Sequence, residues 1–216
     1  GLESQIVSNI VDLTRFTPQE RVFTSAPHLI VTRNLEPIYG IDTALKAFAL
    51  VAKLRPDARL SVAGTGPQAA ELQALAASLG IADKVVFTGR LDRDQMAALY
   101  RDSDLTFNPS RVDNMPNSVL EALASGVPTV TTNVGGIPHI VEHGQTALMV
   151  PPDDPQRMAR LHAASAAVQR ALRDGHRIYF YGTGSTGRLA ETLESGLWRP
   201  FWQRAAASPA WPRIQQ

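Results

Sequence analysis

The sequence predicts an α/β fold: a Rossmann-like parallel sheet of about six strands with helices on both faces, plus an appended β–α unit. Short apolar runs alternate with longer stretches of helical periodicity from His28 to about residue 150. Turn and capping residues separate these stretches, and the chain has no internal repeat. Strands that alternate with helices in this way pair in parallel, because each helix carries the chain back along the sheet.

The apolar runs predict six strands. These strands span residues 28–33, 58–63, 84–88, 104–108, 128–132 and 146–150. Four helices connect the first five strands, over residues 41–54, 67–79, 92–100 and 117–124. Pro67 suits the first turn of the second helix, Gly80 ends it, Asp92 caps the third, and Gly126 ends the fourth. Folds of this kind bind ligands beyond the carboxyl ends of their strands, so the loops there are the candidate site.

A further helix and a final β–α unit follow the sixth strand. Asp153 or Asp154 caps the helix, and Pro155 occupies its first turn. The last strand covers residues 177–181, and a glycine-rich loop then leads into a short helix. We therefore divide the chain into three parts. They are a linker and first strand at 1–27, a Rossmann-like domain at 28–158, and a segment at 159–216 that packs on this domain.

Composition narrows the class of protein. Hydrophobic residues make up 44% of the 216 residues, charged residues make up 19%, and the formal net charge is +1. These values are ordinary for a globular protein and give no reason to expect a nucleic-acid partner. The chain contains no cysteine, which excludes disulfides and thiolate metal sites. No apolar run approaches the roughly 18 residues of a membrane span, so we expect no transmembrane segment and a cytoplasmic location.

The segment between Ser110 and Val141 holds the densest group of polar and glycine residues. Asp113 lies in the loop after the fourth strand, and Glu121 lies eight positions later on the following helix. The free amides at a helix amino terminus suit phosphate or sugar oxygens, and carboxylates accept hydrogen bonds from hydroxyl groups. Taken singly, Asp113 fits a turn residue and Glu121 a solvent-facing residue better, so spacing alone leaves both alternatives open.

This segment resembles the donor-binding signature of the retaining glycosyltransferases of family 4, which have the glycosyltransferase-B fold. The positions that match the signature are Asp113, Glu121, Ala122, Gly126, Pro128, Gly135 and Gly136. The similarity extends in order over about residues 5–158. It includes a linker at 9–16, a turn at 32–40, and loops at 64–67, 86–89 and 144–152. The resemblance implies the carboxy-terminal, nucleotide-sugar-binding domain of such an enzyme.

The resemblance also implies a role for each matching residue. Arg33 would contact the donor diphosphate, Glu121 the ribose hydroxyls, and Asp113 the hydroxyls of the transferred sugar. Further donor contacts would come from Tyr39, Gly64, Gly66, Gly89, Arg90, Leu91, Asn114, Met115, Pro116, Asn117 and Ser118. Arg33 and a helix amino terminus can stabilise the leaving diphosphate without a metal. We therefore expect no metal and no cofactor, with a UDP- or GDP-sugar as the donor substrate.

Three positions depart from the family pattern. Tyr39 stands where the family often has lysine, Asp113 replaces the commoner glutamate, and His139 stands where a glutamate is common. We expect the amino-terminal acceptor domain of the family to be absent from this chain. We therefore expect the chain to be inactive alone, with a separate acceptor domain or self-association among its partners. The parent enzyme would lie peripherally at the inner membrane face.

The last part of the chain differs in composition and in resemblance. Eight arginines against three acidic residues give residues 160–216 a balance of +5. Residues from about 160 to 205 resemble a fragment of a sugar isomerase domain of the N-acetylmuramic acid 6-phosphate etherase type. Thr183, Ser185 and Thr186 would be its sugar-phosphate contacts. We therefore predict a chimera joined near residues 155–165. Two alternatives are a recombinant structural domain without catalysis and a sugar-phosphate-binding module.

Overall fold

The computed structural model describes residues 9–18 and 26–159. Six strands form one parallel sheet in this part of the chain. They are β1 (His28–Thr32), β2 (Arg59–Ala63), β3 (Val85–Gly89), β4 (Leu105–Asn108), β5 (Thr129–Thr132) and β6 (Leu148–Val150). The helices are α1 (Ile41–Leu54), α2 (Ala69–Ser78), α3 (Arg93–Arg101) and α4 (Asn117–Ala124). Three 3-10 turns lie at Pro37–Tyr39, Ala82–Lys84 and Ile137–His139. The predicted fold class is confirmed.

The strand order is β3-β2-β1-β4-β5-β6. The chain builds the sheet outward from β1 to β3, then returns to the other side of β1 and builds outward again. β1 therefore pairs with β2 on one side, from His28↔Arg59 to Thr32↔Ala63, and with β4 on the other. The loops after β1 and β4 diverge at this reversal of direction. Doubly wound sheets bind ligands in the crevice that opens there.

The predicted helix signals fall at or near the observed ends. Asp92 forms a capping box at the start of α3, since its carboxylate accepts the amide of Gln95 while the Gln95 side chain accepts the amide of Asp92. Pro67 lies in the turn before α2 and not in its first turn, so that prediction was wrong. The reason is that the Gln68 amide donates to the Leu35 carbonyl at 3.0 Å, which delays the start of the helix.

Apolar side chains cover both faces of the sheet. On one face, Phe48 of α1 is fully buried in the largest cluster. On the other, Tyr100 of α3 is fully buried and meets Phe16 of the linker edge-on, with ring centroids 5.9 Å apart. Residues 155–159 are helical, Asp154 caps this turn through the Arg157 amide, and Met158 enters the first cluster. The start of the helix predicted after β6 therefore packs on the sheet.

Several predictions lie outside the described residues. They concern the strand at 177–181, the loop that contains Thr183, Ser185 and Thr186, and most of the appended segment. Within residues 9–18 and 26–159, no helix has both the length and the apolar character needed to cross a bilayer.

Candidate functional site

Arg33 is the first residue after β1, so it stands at the crevice beside β4. Its guanidinium donates to the carboxylate of Asp113 and lies 3.5 Å from the hydroxyl of Ser118. Its Cζ atom lies 4.0 Å from the centre of the Tyr39 ring, a cation–π contact. The side chains of Arg33 and Asp113 are only 12% and 11% exposed. Water screens such a pair far less than a surface ion pair.

Asp113 is held by its backbone as well as by its charge. Its carbonyl accepts the Gly136 amide at 3.1 Å, and its carboxylate lies 3.4 Å from the Ser110 hydroxyl. Gly135 has a φ of 54°, and a Cβ atom there would lie 1.9 Å from the Asp113 carbonyl oxygen. Only glycine permits so close an approach in that conformation. The Gly-Gly pair of the signature thus fixes the loop that carries Asp113.

Asn108, the last residue of β4, contacts the side chains of both Ser110 and Ser118. Its amide oxygen lies 3.3 Å from the Ser110 hydroxyl and 3.2 Å from the Ser118 hydroxyl. Its amide nitrogen donates to the Thr131 hydroxyl at 2.9 Å. Because Ser118 gives its proton to Asn108, its oxygen is left to accept from Arg33. Five side chains are thus joined by hydrogen bonds, and the single Ser110 proton serves either Asn108 or Asp113: Arg33, Asn108, Ser110, Asp113 and Ser118.

Helix α4 begins at Asn117, beside this group of side chains. Pro116 precedes it, and no side chain caps it. Pro116 has no N–H group, so it cannot supply one of the amides predicted along residues 114–118. Asn114 is exposed and Met115 is half-buried, and the Met115 carbonyl accepts the side-chain amide of Asn9 at 2.8 Å. The uncapped first turn of α4 therefore faces the crevice with its positive end, the end that favours an anion.

Glu121 lies one turn further along α4 and contacts Tyr100. The Tyr100 hydroxyl lies 2.6 Å from the Thr32 hydroxyl, and its single proton serves either the Ser118 carbonyl, 3.0 Å away, or the Glu121 carboxylate. Burial raises the pKa of Glu121, and the bond from Tyr100 offsets part of that rise. Burial likewise raises the pKa of Tyr100 well above its ordinary value. Glu121 is therefore half-buried and hydrogen-bonded, and it does not extend freely into solvent.

Arg111 ties the two loops of the crevice together. Its backbone amide donates to the Ile38 carbonyl at 2.7 Å, and its side chain donates to the Pro37 carbonyl. The guanidinium also pairs with Asp42 of α1 and with Asp153, each at 2.8 Å. The turn that carries Tyr39 is therefore fixed to the loop that carries Asp113.

The remaining predicted contacts lie beside β1 and at the end of β3. A Cβ atom on Gly64 would lie 2.0 Å from the Arg33 carbonyl oxygen, and one on Gly66 would lie 2.4 Å from that of Leu35. These two glycines therefore support the segment that bears Arg33. Gly89 accepts the Gly64 amide at 2.9 Å through its carbonyl. The next two residues carry an exposed and a half-buried side chain: Arg90 and Leu91.

Sequence reasoning assigned no role to several residues that complete the site. They are Thr32, Tyr100, Asn108, Ser110 and Arg111. Tyr100 lies on the apolar face of a helix and reads as a core residue, and Asn108 ends a buried strand. For both residues, the only signal in the sequence was a polar side chain at a position expected to be buried. Such a side chain indicates a hydrogen-bond partner, because a buried polar group needs one. Within the described residues, no three histidine, cysteine or acidic side chains gather as a metal site would require.

The fold and the site define a class of protein. It is a doubly wound α/β domain whose carboxyl edge presents a guanidinium, two carboxylates and a helix amino terminus. Such groups suit an anionic ligand that also carries hydroxyl groups. Residues 14–174 match the family model of the glycosyl transferases group 1. This match covers most of the chain, and the chain belongs to that family.

Known relatives agree in sequence and in fold. A GDP-mannose-dependent α-(1-6)-phosphatidylinositol monomannoside mannosyltransferase of Mycobacterium tuberculosis is 32% identical over 85% of this chain and 46% of its own length. The carboxy-terminal domain of a group 1 glycosyl transferase of Francisella tularensis is 21% identical, with a TM-score of 0.63, over 76% of this chain and 88% of that domain. HepE of Anabaena, solved with UDP and glucose, is 22% identical, with a TM-score of 0.60, over 66% of this chain and 39% of its own.

The extent of these matches bears on two predictions. This chain spans less than half the length of the curated relatives it matches. The family match also continues to residue 174, past the join predicted near residues 155–165. The alignment with the mannosyltransferase covers 85% of this chain, so it must also extend beyond residue 159. The comparisons therefore give no support to an isomerase-type fragment or to a chimera.

Proposed function

We propose that residues 28–158 form the donor-binding half of a retaining glycosyltransferase that takes a UDP- or GDP-sugar. One observation carries the proposal. Arg33, Asp113 and the amino terminus of α4 converge at the point where the strand order reverses. Doubly wound folds bind nucleotides there. The group 1 family membership supports glycosyl transfer, while the retaining outcome rests on the resemblance to family 4.

In this proposal the bond between the anomeric carbon and the diphosphate breaks while the negative charge on the leaving group grows. Arg33, whose side chain is only 12% exposed, and the first amides of α4 stabilise that charge. Glu121 receives the ribose hydroxyls, with Tyr100 holding its carboxylate. Asp113 receives the hydroxyls of the sugar. No metal or cofactor enters this scheme.

The printed names of the relatives keep two nucleotide classes under consideration. The mycobacterial relative is GDP-mannose-dependent, and the Anabaena structure holds UDP. Because this chain spans less than half of its relatives, we propose that acceptor binding belongs to a further domain or to a partner chain. Self-association is the alternative. A peripheral location at the inner membrane face stays a prediction.

Calorimetric titration with UDP-glucose and GDP-mannose tests the proposal. We expect one of the two to bind, and we expect Arg33→Ala and Glu121→Ala each to weaken binding by about tenfold or more. Arg59→Ala is the matched control. Arg59 also pairs with an aspartate, but it begins β2 at the opposite end of the sheet. The control should leave the affinity unchanged within about twofold.

Two results would oppose the proposal. If neither nucleotide-sugar bound at millimolar concentration, a structural domain without catalysis would explain the chain better. If binding persisted unchanged in both crevice variants, the ligand would occupy another site. A preference for muramic or glucosamine 6-phosphate would instead support the sugar-phosphate module predicted at Thr183, Ser185 and Thr186, which lie outside the described residues.

A further inference from the structure

In the proposed donor site, the carboxylate of Asp113 competes with the donor diphosphate for Arg33. Arg33 is the cation expected to bind the diphosphate, yet its guanidinium already donates to the Asp113 carboxylate. The Nε–H group of Arg33 is buried and has no hydrogen-bond partner among the residues that the structure describes. The guanidinium is therefore only partly satisfied, and its strongest partner is an anion of the protein itself.

Asp113 has little freedom to leave when another anion arrives. The Ser110 hydroxyl lies 3.4 Å from its carboxylate, and Ser110 is fully buried. The Ser110 carbonyl in turn accepts the Thr132 hydroxyl at 2.5 Å. The Asp113 carbonyl accepts the Gly136 amide, and the backbone beside it has no room for a side chain at Gly135. An anionic ligand that binds Arg33 therefore lies next to the Asp113 carboxylate, which stays in place.

Nucleotide-sugars and free nucleotides meet this carboxylate with different chemistry. A sugar on the diphosphate brings hydroxyl donors, which can replace the guanidinium as hydrogen-bond partners of Asp113. A free nucleoside diphosphate brings no such donor. At neutral pH its terminal phosphate also carries about one additional negative charge, since the second phosphate ionisation lies near pH 6. Like charges so close together in a poorly screened crevice repel strongly.

We propose that Asp113 makes the crevice discriminate between a diphosphate capped by a hydroxyl-bearing group and a diphosphate with a free terminal phosphate. The inference rests on the proposed function and deepens it. Asp113 recognises the sugar of the donor, and it also disfavours the nucleoside diphosphate that remains after transfer. When the nucleoside diphosphate forms, Arg33 pairs with Asp113 again, and this change of partner favours release of the nucleoside diphosphate.

The test is a set of calorimetric titrations at one pH and one ionic strength. UDP, UDP with a methyl ester on its terminal phosphate, and UDP-glucose are titrated into the wild-type chain, with GDP and GDP-mannose as a parallel series. We expect affinity to rise from UDP to the methyl ester to UDP-glucose. We expect UDP to bind Asp113→Asn about tenfold more tightly than it binds wild type. The affinity for UDP-glucose should rise by less than this or should fall. The preference for the sugar form should therefore fall by about tenfold.

Asp102→Asn is the matched control. It makes the same chemical change in an aspartate that pairs with an arginine, but through Arg59 at the opposite end of the sheet. This variant should keep the wild-type order and ratios. The wild-type series with the methyl ester is independent of how well Asp113→Asn folds.

The outcomes separate the two proposals. If no nucleotide or nucleotide-sugar binds wild type, the proposed function fails, and this inference fails with it. If the ligands bind but wild type holds UDP and its methyl ester equally, the discrimination by charge is refuted while the proposed function stands. Asp113→Asn that left the UDP to UDP-glucose ratio unchanged would refute the assignment to Asp113.

Discussion

Tyr100→Phe isolates one buried hydroxyl group that joins three elements of the site. The hydroxyl lies 2.6 Å from the Thr32 hydroxyl on β1, and its one proton serves either the Ser118 carbonyl, 3.0 Å away on α4, or the Glu121 carboxylate. The substitution removes a single oxygen atom and leaves the ring that packs against Phe16. Any loss of stability therefore reports the hydrogen bonds and not the apolar packing.

The magnitude follows from the number and burial of these bonds. A buried neutral hydrogen bond contributes about 1 kcal/mol net, and a partner left unsatisfied adds to the loss. Tyr100 has no exposed surface, so water cannot replace its hydroxyl in the folded state. The Thr32 hydroxyl can rotate toward another acceptor, and the Ser118 carbonyl keeps its helical bond. We therefore expect a loss of about 2 kcal/mol, which lowers the melting temperature by roughly 4–8 °C for a chain of this size.

Urea denaturation followed by circular dichroism measures this change, with Tyr39→Phe as the matched control. Tyr39 also lies at the site, but its ring supports Arg33 by cation–π contact and its side chain is half-buried. The control keeps that ring and should change the free energy of unfolding by less than about 0.5 kcal/mol. Equal stability of the two variants, or a Tyr100→Phe loss below about 0.5 kcal/mol, would refute the role assigned to the Tyr100 hydroxyl.

Two further predictions concern the supports of the fold. Arg111→Ala should lower the free energy of unfolding by about 1.5 kcal/mol in urea denaturation, because it removes bonds to Asp42, Asp153 and the Pro37 carbonyl. Arg111→Lys should restore less than half of the lost free energy of unfolding. If neither variant lost stability, the role of Arg111 in holding the two loops together would be contradicted. Burial lowers the pKa of His28 from 6.5, so the unfolded chain binds more protons below that pH. The melting temperature should therefore fall as pH drops through about 6.5, and less steeply in His28→Asn; equal slopes would exclude His28 as the cause.

The sequence could predict much of the fold because the fold depends on patterns that are local. Buried parallel strands read as apolar runs, so the predicted strands lie within about two residues of β1 to β6. Asp92 lies at the start of α3 and Gly126 lies just after α4, because caps act on their own helix. Pro67 is the instructive exception. The start of α2 depends on the Leu35 carbonyl, which belongs to another loop.

The sequence by itself determined the α/β class, the order of its elements and the family, and it predicted the loops in which a donor would bind. Only the tertiary structure decided which side chains in those loops meet. Arg33 and Asp113 are 80 positions apart, and they pair because β1 and β4 are neighbours in the sheet. Asn108 and Tyr100 gain their roles in the same way, through partners that other strands and helices supply. A hydrogen bond needs two groups at a set distance and angle, and no local pattern of residues encodes that geometry for groups from distant segments.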